Sequence, residues 1–340
     1  MKDTKNVIDA GISRRSVVLG SAALAAAGLV RSAEASDAPI RIGFNSSLTA
    51  GGVLAVADHF GWFKNAGLNV VGIPFTNAPA QAAALIGGSL DIAIVGANGA
   101  TNVMADRASI VSLDNLLNDV FLIAENDGPI SKIEDLKGKR IGYVEGTVSE
   151  ILLFLALKRA GLNFSDVTAT NLAPPGIVTA MIGRQIDAAS IYLPFEGAIA
   201  ARMSLRIIAR PSTFEDFALP MYLMADKSFI RSRPADLTSL LEVKARANDW
   251  RKQNLELAAK IAAGYSQAPD PAPFIAQVAA ETWLSSADIL AGYTNGKFER
   301  WLDASQEIMS EAKIVKQRIS AKTLLDLDAD REALRKYLNK

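Results

Sequence analysis

Ile86-Gly87-Gly88-Ser89-Leu90-Asp91 runs straight into apolar Ile92-Ala93-Ile94-Val95, and ninety-six residues later Ile182-Gly183-Arg184-Gln185-Ile186-Asp187 runs into an apolar stretch over 188–192. In both places a helical pattern stops at glycine, the chain turns, and an acid precedes a short strand. Outward from the first copy, the spacing predicts strands over 40–44, 69–75 and 91–95. Helices are predicted over 51–65 and 79–86, the first with Val53, Val56, Ala57 and Phe60 at helical intervals, and another beginning near Asn98. The second copy is embedded in the same order: a helical turn over 131–136, then strand 140–144, helix 147–160, strand 167–172, helix 176–182 and strand 188–192. Short apolar strands alternating with helices specify an α/β protein with largely parallel sheets. The repetition is one of architecture rather than of tandem sequence, and it predicts two similar lobes facing one another. From about Pro234 the chain reads as helical, with stops at Pro269, Pro271 and Pro273. Those helices are expected to pack on the first lobe, which makes that lobe discontinuous and the connection double.

The first 35 residues have the three zones of an export signal. Residues 1–15 are polar and end in Arg14-Arg15, residues 17–30 are apolar, and Ala33-Glu34-Ala35 supplies small residues for a signal peptidase. Ser13-Arg14-Arg15-Ser16-Val17-Val18-Leu19 is similar to the twin-arginine (Tat) consensus. Fourteen apolar residues as a helix cover about 21 Å of a roughly 30 Å hydrocarbon core, so cleavage near Ala35 and a periplasmic address are expected rather than a membrane anchor. Beyond the leader, 31 Lys or Arg stand against 33 Asp or Glu, which signals no basic face for nucleic acid. The sequence holds no Cys, which excludes disulfides, zinc thiolates, thiol nucleophiles and a lipoprotein tether.

Five segments together carry a resemblance. They are Gly61-Trp62-Phe63-Lys64-Asn65-Ala66-Gly67-Leu68-Asn69-Val70, the segment over 84–93, Asp135-Leu136-Lys137-Gly138-Lys139-Arg140-Ile141-Gly142, Gly146-Thr147 opening a helix, and Asp187-Ala188 followed by Leu193-Pro194-Phe195. In this order they resemble the nitrate, sulfonate and taurine group of substrate-binding proteins that serve ABC importers. That resemblance implies a two-lobed type II periplasmic binding-protein fold with two hinge crossovers, expected near 121–124 and 211–219. It places lobe 1 over 36–122 plus 213–340 and lobe 2 over 123–212. It also implies a monomer that delivers a small anionic or zwitterionic solute to an ABC permease in the cytoplasmic membrane, without cofactor, metal or catalysis. Many relatives have an aromatic followed by Asp-Pro where this chain has Tyr192-Leu193-Pro194. That departure leaves the solute open between an aliphatic sulfonate or taurine-like compound, a nitrate-like anion and a thiamine pyrimidine precursor.

In open α/β sheets ligands bind beyond the carboxyl ends of the strands, and helix N-termini there offer unpaired N–H groups to an anion. Asn45, Ser47, Thr49 and Gly51 after the first strand, Asn77 after the second and Asn98 after the third are therefore candidate ligand contacts. Gly146, Thr147 and Ser149 face them from the second half. Thr49, Asn98 and Thr147 serve equally well as helix caps. Glu145 and Glu196 are candidates to hold an ammonium or ring N–H, and Tyr192 to pack on an organic body.

Signals for chemistry fail. His59 is the only imidazole and no Gly-x-Ser-x-Gly elbow accompanies it. The stretch 292–297 has the wrong spacing for a phosphate loop, and 326–330 begins like a calcium loop but has Arg331 where glycine is required. The pyrimidine synthases that share the resemblance depend on a Cys-rich motif and on histidines, whereas this chain has no Cys and one His.

Overall fold

The computed structural model describes residues 38–214 and 217–340; the expected leader lies outside them. The first half contains β1 (Ile40–Asn45), α1 (Leu48–His59), α2 (Trp62–Asn65), β2 (Val70–Phe75), α3 (Ala78–Ile86), β3 (Ile92–Gly96), α4 (Gly99–Met104) and β4 (Ala108–Leu117). There follow β5 (Val120–Glu125), β6 (Arg140–Tyr143), α5 (Val148–Arg159), β7 (Thr168–Asn171), α6 (Pro174–Ile182), β8 (Ala188–Tyr192), α7 (Phe195–Ala200) and β9 (Leu205–Ala209). After β10 (Leu219–Asp226) the chain is helical: α8 (Lys227–Ser232), α9 (Pro234–Gln253), α10 (Leu255–Tyr265), α11 (Ala272–Ala280), α12 (Ser286–Thr294), α13 (Lys297–Glu311), α14 (Ala321–Leu324) and α15 (Asp328–Leu338).

Two five-stranded sheets have the same plan, β2-β1-β3-β10-β4 and β7-β6-β8-β5-β9. In each, three strands run parallel and the fourth is antiparallel to its neighbours. The antiparallel positions are taken by β10 and β5, the strands that follow the two crossings between sheets. The first crossing falls at Asn118 and Asp119, a few residues ahead of the expected 121–124, because Val120 already pairs with Tyr192 of β8. The second lies between β9 and β10, over the stretch that includes 211–218.

The glycine-turn-acid motif has the same local construction in both sheets. Arg41 of β1 donates from its backbone, Nε and Nη2 to Asp91, and from Nη1 to the Gly88 carbonyl at 2.8 Å. Arg140 of β6 binds Asp187 through the same three groups and reaches the Arg184 carbonyl at 3.0 Å. The turn needs a left-handed residue, supplied by Gly88 at φ +75° and by Arg184 at φ +53°. Arg184 meets that requirement without glycine, and its guanidinium is anchored on Glu125. Gly43 and Gly142 complete the unit, since a Cβ would meet Leu90 Cδ1 at 2.5 Å and Ile186 Cδ1 at 2.8 Å. The pair Arg41-Ile42-Gly43-Phe44 and Arg140-Ile141-Gly142-Tyr143 is thus a residue-level repeat beneath the architectural one.

The C-terminal helices pack on the first sheet and its helices: α9 and α10 against α1, α13 against β10, and α15 against β4. β4 bulges opposite β10 around Asp114 and Asn115. Side chains from the helices take up the backbone groups this exposes. The Leu113 N–H donates to the Tyr293 hydroxyl at 2.7 Å, and the Lys244 ammonium donates to the Leu113 carbonyl. Asp114 receives both terminal nitrogens of Arg251, in an ion pair wholly out of solvent.

Candidate functional site

A cavity of about 310 Å³ opens between the two sheets at the carboxyl ends of their parallel strands. Asn45, Ser46 and Ser47 after β1, Phe75, Thr76 and Asn77 after β2, and Gly96 and Asn98 after β3 form one wall. Thr147 and Val148 after β6, and 192–195 after β8, form the other. The crossing supplies Leu117 and Asp119, β10 supplies Met221 and α11 supplies Gln277. Gly96 lets β3 lie close to Leu117, since a Cβ there would stand 2.8 Å from Leu117 Cδ1.

The hydroxyls and amides on the wall are held by capping. Ser47 accepts from the Ala50 N–H and exchanges a hydrogen bond with Thr49 at 2.9 Å. Asn77 accepts from Ala80 N–H at 2.9 Å, Asn98 from Ala100 N–H at 2.9 Å and Thr147 from Ser149 N–H at 3.2 Å. Thr147 also donates to the Val144 carbonyl at 2.8 Å. The first turns of α1, α3 and α5 line the cavity through Thr49, Ala50, Ala78 and Val148. Such helix ends carry roughly half a positive charge each. Among the described residues no Lys, Arg or His lines the cavity, which leaves backbone dipoles as its source of positive charge.

Seven expected contacts, Asn45, Ser47, Thr49, Asn77, Asn98, Thr147 and Tyr192, line this cavity together. Five do not. Helix α1 begins at Leu48 rather than 51, which puts Gly51 inside it against the Phe44 ring. Glu145 is exposed and turned toward β7, where the Asn171 amide donates to its carboxylate at 2.8 Å. The Gly146 N–H is taken by Glu150 at 2.7 Å. Ser149 is fully buried and donates to the Ser190 carbonyl while accepting from the Val144 N–H, tying α5 to β8 and β6. Glu196 lies half-buried on α7 outside the cavity wall, its carboxyl raised above the usual range by burial.

Sequence reasoning missed Asp119 and Gln277. Gln277 accepts from the Leu48 N–H at 2.7 Å and donates to Asp119 at 2.7 Å, joining the start of α1 to the crossing. Asp119 is buried, and burial raises its carboxyl above the ordinary value against the opposing bonds from Gln277 and Glu281. Glu281 is pushed well up, by burial first and by the Asp119 charge second. Burial and the same charge raise Tyr192 to about 12. The available signal for Asp119 was an acid between two apolar strands; Gln277 gave none.

The family model described as NMT1/THI5 like matches residues 51–256, more than half of the chain. The chain belongs to that family. A protein of Brucella abortus (strain 2308), described only as a binding protein, is 28% identical over 276 residues, covering 81% of this chain and 86% of its own. A relative in Escherichia coli (strain K12), named for aliphatic sulfonate binding, is 27% identical over 236 residues, covering 67% and 73%. The crystal structure of the periplasmic aliphatic sulphonate binding protein from Escherichia coli superposes with a TM-score of 0.69 at 18% identity, over 85% of this chain and 92% of that one. The NMT1/THI5-like chain therefore has the two-lobed fold of periplasmic binding proteins.

Proposed function

We propose that this NMT1/THI5-like chain is the periplasmic solute-binding component of an ABC importer. Its two lobes, which part at Asn118–Asp119 and between β9 and β10, close on a small organic anion or zwitterion of the aliphatic sulfonate or taurine class and present it to a membrane permease. The observation that carries this reading is the cavity between the sheets, walled by three helix N-termini and four capping side chains with no cationic side chain. Such a wall binds an anionic head group through backbone dipoles and hydroxyls, and leaves it free to depart without breaking a buried ion pair. Phe75, Leu117, Tyr192, Phe195 and Met221 supply an apolar surface for an organic body. Relatives named for sulfonate binding support the solute class, and the twin-arginine-type leader supports export.

A thermal-shift panel of alkanesulfonates, taurine, nitrate, carboxylates and pyrimidine precursors tests it. A solute at 100 times its Kd adds about 2.7 kcal/mol of stability. For a chain of this size that is a rise in Tm of about 4 °C. A shift confined to uncharged compounds, or none across the panel, overturns the reading.

A further inference from the structure

Asp119 is the one charged side chain among the residues lining the cavity, and it is buried. It stands at the crossing, at the end of a chain of contacts from the α1 N-terminus through Gln277. Behind it, the buried Glu281 accepts from the Asn118 N–H at 2.9 Å and feels the Asp119 charge. Neighbouring buried carboxyls resist double ionisation, and Glu281, pushed up further than Asp119, leaves Asp119 to carry the first negative charge of the pair. No cation on the cavity wall offsets that charge. Arg251, the basic group that acts on Glu281, is already committed to Asp114 through both terminal nitrogens. Lys244, also buried, is bound to the Leu113 carbonyl. A desolvated anion facing an otherwise uncharged cavity is costly unless the occupant supplies a donor.

We propose that Asp119 is a specificity-determining residue that accepts a hydrogen bond from a protonated amine or ring N–H of the solute, whose anionic end lies at the helix N-termini. This rests on the solute-binding reading above and narrows it to amphoteric solutes. The cavity is then bipolar. Its positive side is made of the first turns of α1, α3 and α5, and its negative side is Asp119, joined to the start of α1 through Gln277, with Tyr192 and Phe195 on the wall for the connecting carbons. A plain sulfonate fills the first side and leaves the second without a partner.

Calorimetric titration with pairs that differ only in the nitrogen tests this: taurine against ethanesulfonate, and 3-aminopropanesulfonate against propanesulfonate. The wild-type chain is expected to bind at least one aminated member tenfold or more tighter than its partner. Asp119→Asn is expected to erase that preference by weakening the aminated member relative to its plain partner, and Asp119→Glu to retain part of it. Circular dichroism and melting of each variant separate a lost fold from a lost contact. Equal affinities within the pairs, or a preference that survives Asp119→Asn, overturn the role of Asp119 and leave anion binding standing. Failure to bind any member of either pair, or any anion of the wider panel, overturns both.

Discussion

Asp119 and Glu281 are buried and both carboxyls are raised by that burial, which makes stability depend on pH in the direction opposite to a carboxylate held down by a partner. Both have folded-state values raised above the roughly 4 of an unfolded chain. In the folded chain the pair keeps protons that the unfolded chain has released. Its contribution is therefore complete below that ordinary value and is lost as pH rises through the raised one. Replacing Glu281 by Gln keeps the shape and removes the more strongly raised of the two titrations, leaving that of Asp119. The Tm of Glu281→Gln minus that of the wild type is expected to increase from pH 5 to pH 8; a flat difference would show that the pair does not titrate in this window. Asp187 and Asp226 act in the other sense, held down chiefly by the Arg140 bond in the first case and by bonds from Ser228 and Arg107, against burial, in the second. Their stabilisation is present above the ordinary carboxylate value and is lost on acidification.

Among the elements, β4 depends most on side chains far from it in sequence. Its bulge leaves Leu113 bound to Tyr293 of α12 and Lys244 of α9, while Asp114 neutralises Arg251 at the end of α9. Asp114→Asn would leave a fully buried guanidinium without its counter-charge, and breaking such a pair from one side costs about 3–5 kcal/mol. Urea unfolding should register that loss as a lower midpoint with an unchanged slope. A loss below about 1 kcal/mol would mean that water or Asn248 replaces the carboxylate. The legibility of the elements follows from range. Helices, strands and caps were readable because each is decided within a few residues, as with Thr147 opening α5 and the glycine turn before Asp91. Asp119 and Gln277 were not readable as a site, because their contact spans 158 residues and depends on how α11 lies across the crossing. Ser149 and Gly51 fall outside the cavity wall for a related reason: the pattern places a residue near a helix start, but not on the side of it that faces the cavity.

At the scale of the whole molecule, the lobes also touch away from the cavity. Lys158 of α5 pairs with Glu311 of α13 across the two halves, and both side chains are solvent-exposed. A pair of that kind contributes about 0–1 kcal/mol. Lys158→Ala should therefore change solute affinity by no more than about fivefold, read by calorimetry, with a larger change identifying the pair as a main determinant of closure. The position of β10 has a consequence of another kind. It lies between β3 and β4, yet it is the last strand of either sheet to be made. A ribosome adding roughly 5–20 residues per second leaves those two apolar strands with open edges for on the order of 5–20 seconds. Residues 120–209, whose sheet is contiguous, have all their strands in that interval. The half that starts first thus finishes last, and its unpaired edges are the stretch of the nascent chain most in need of protection from the wrong partner.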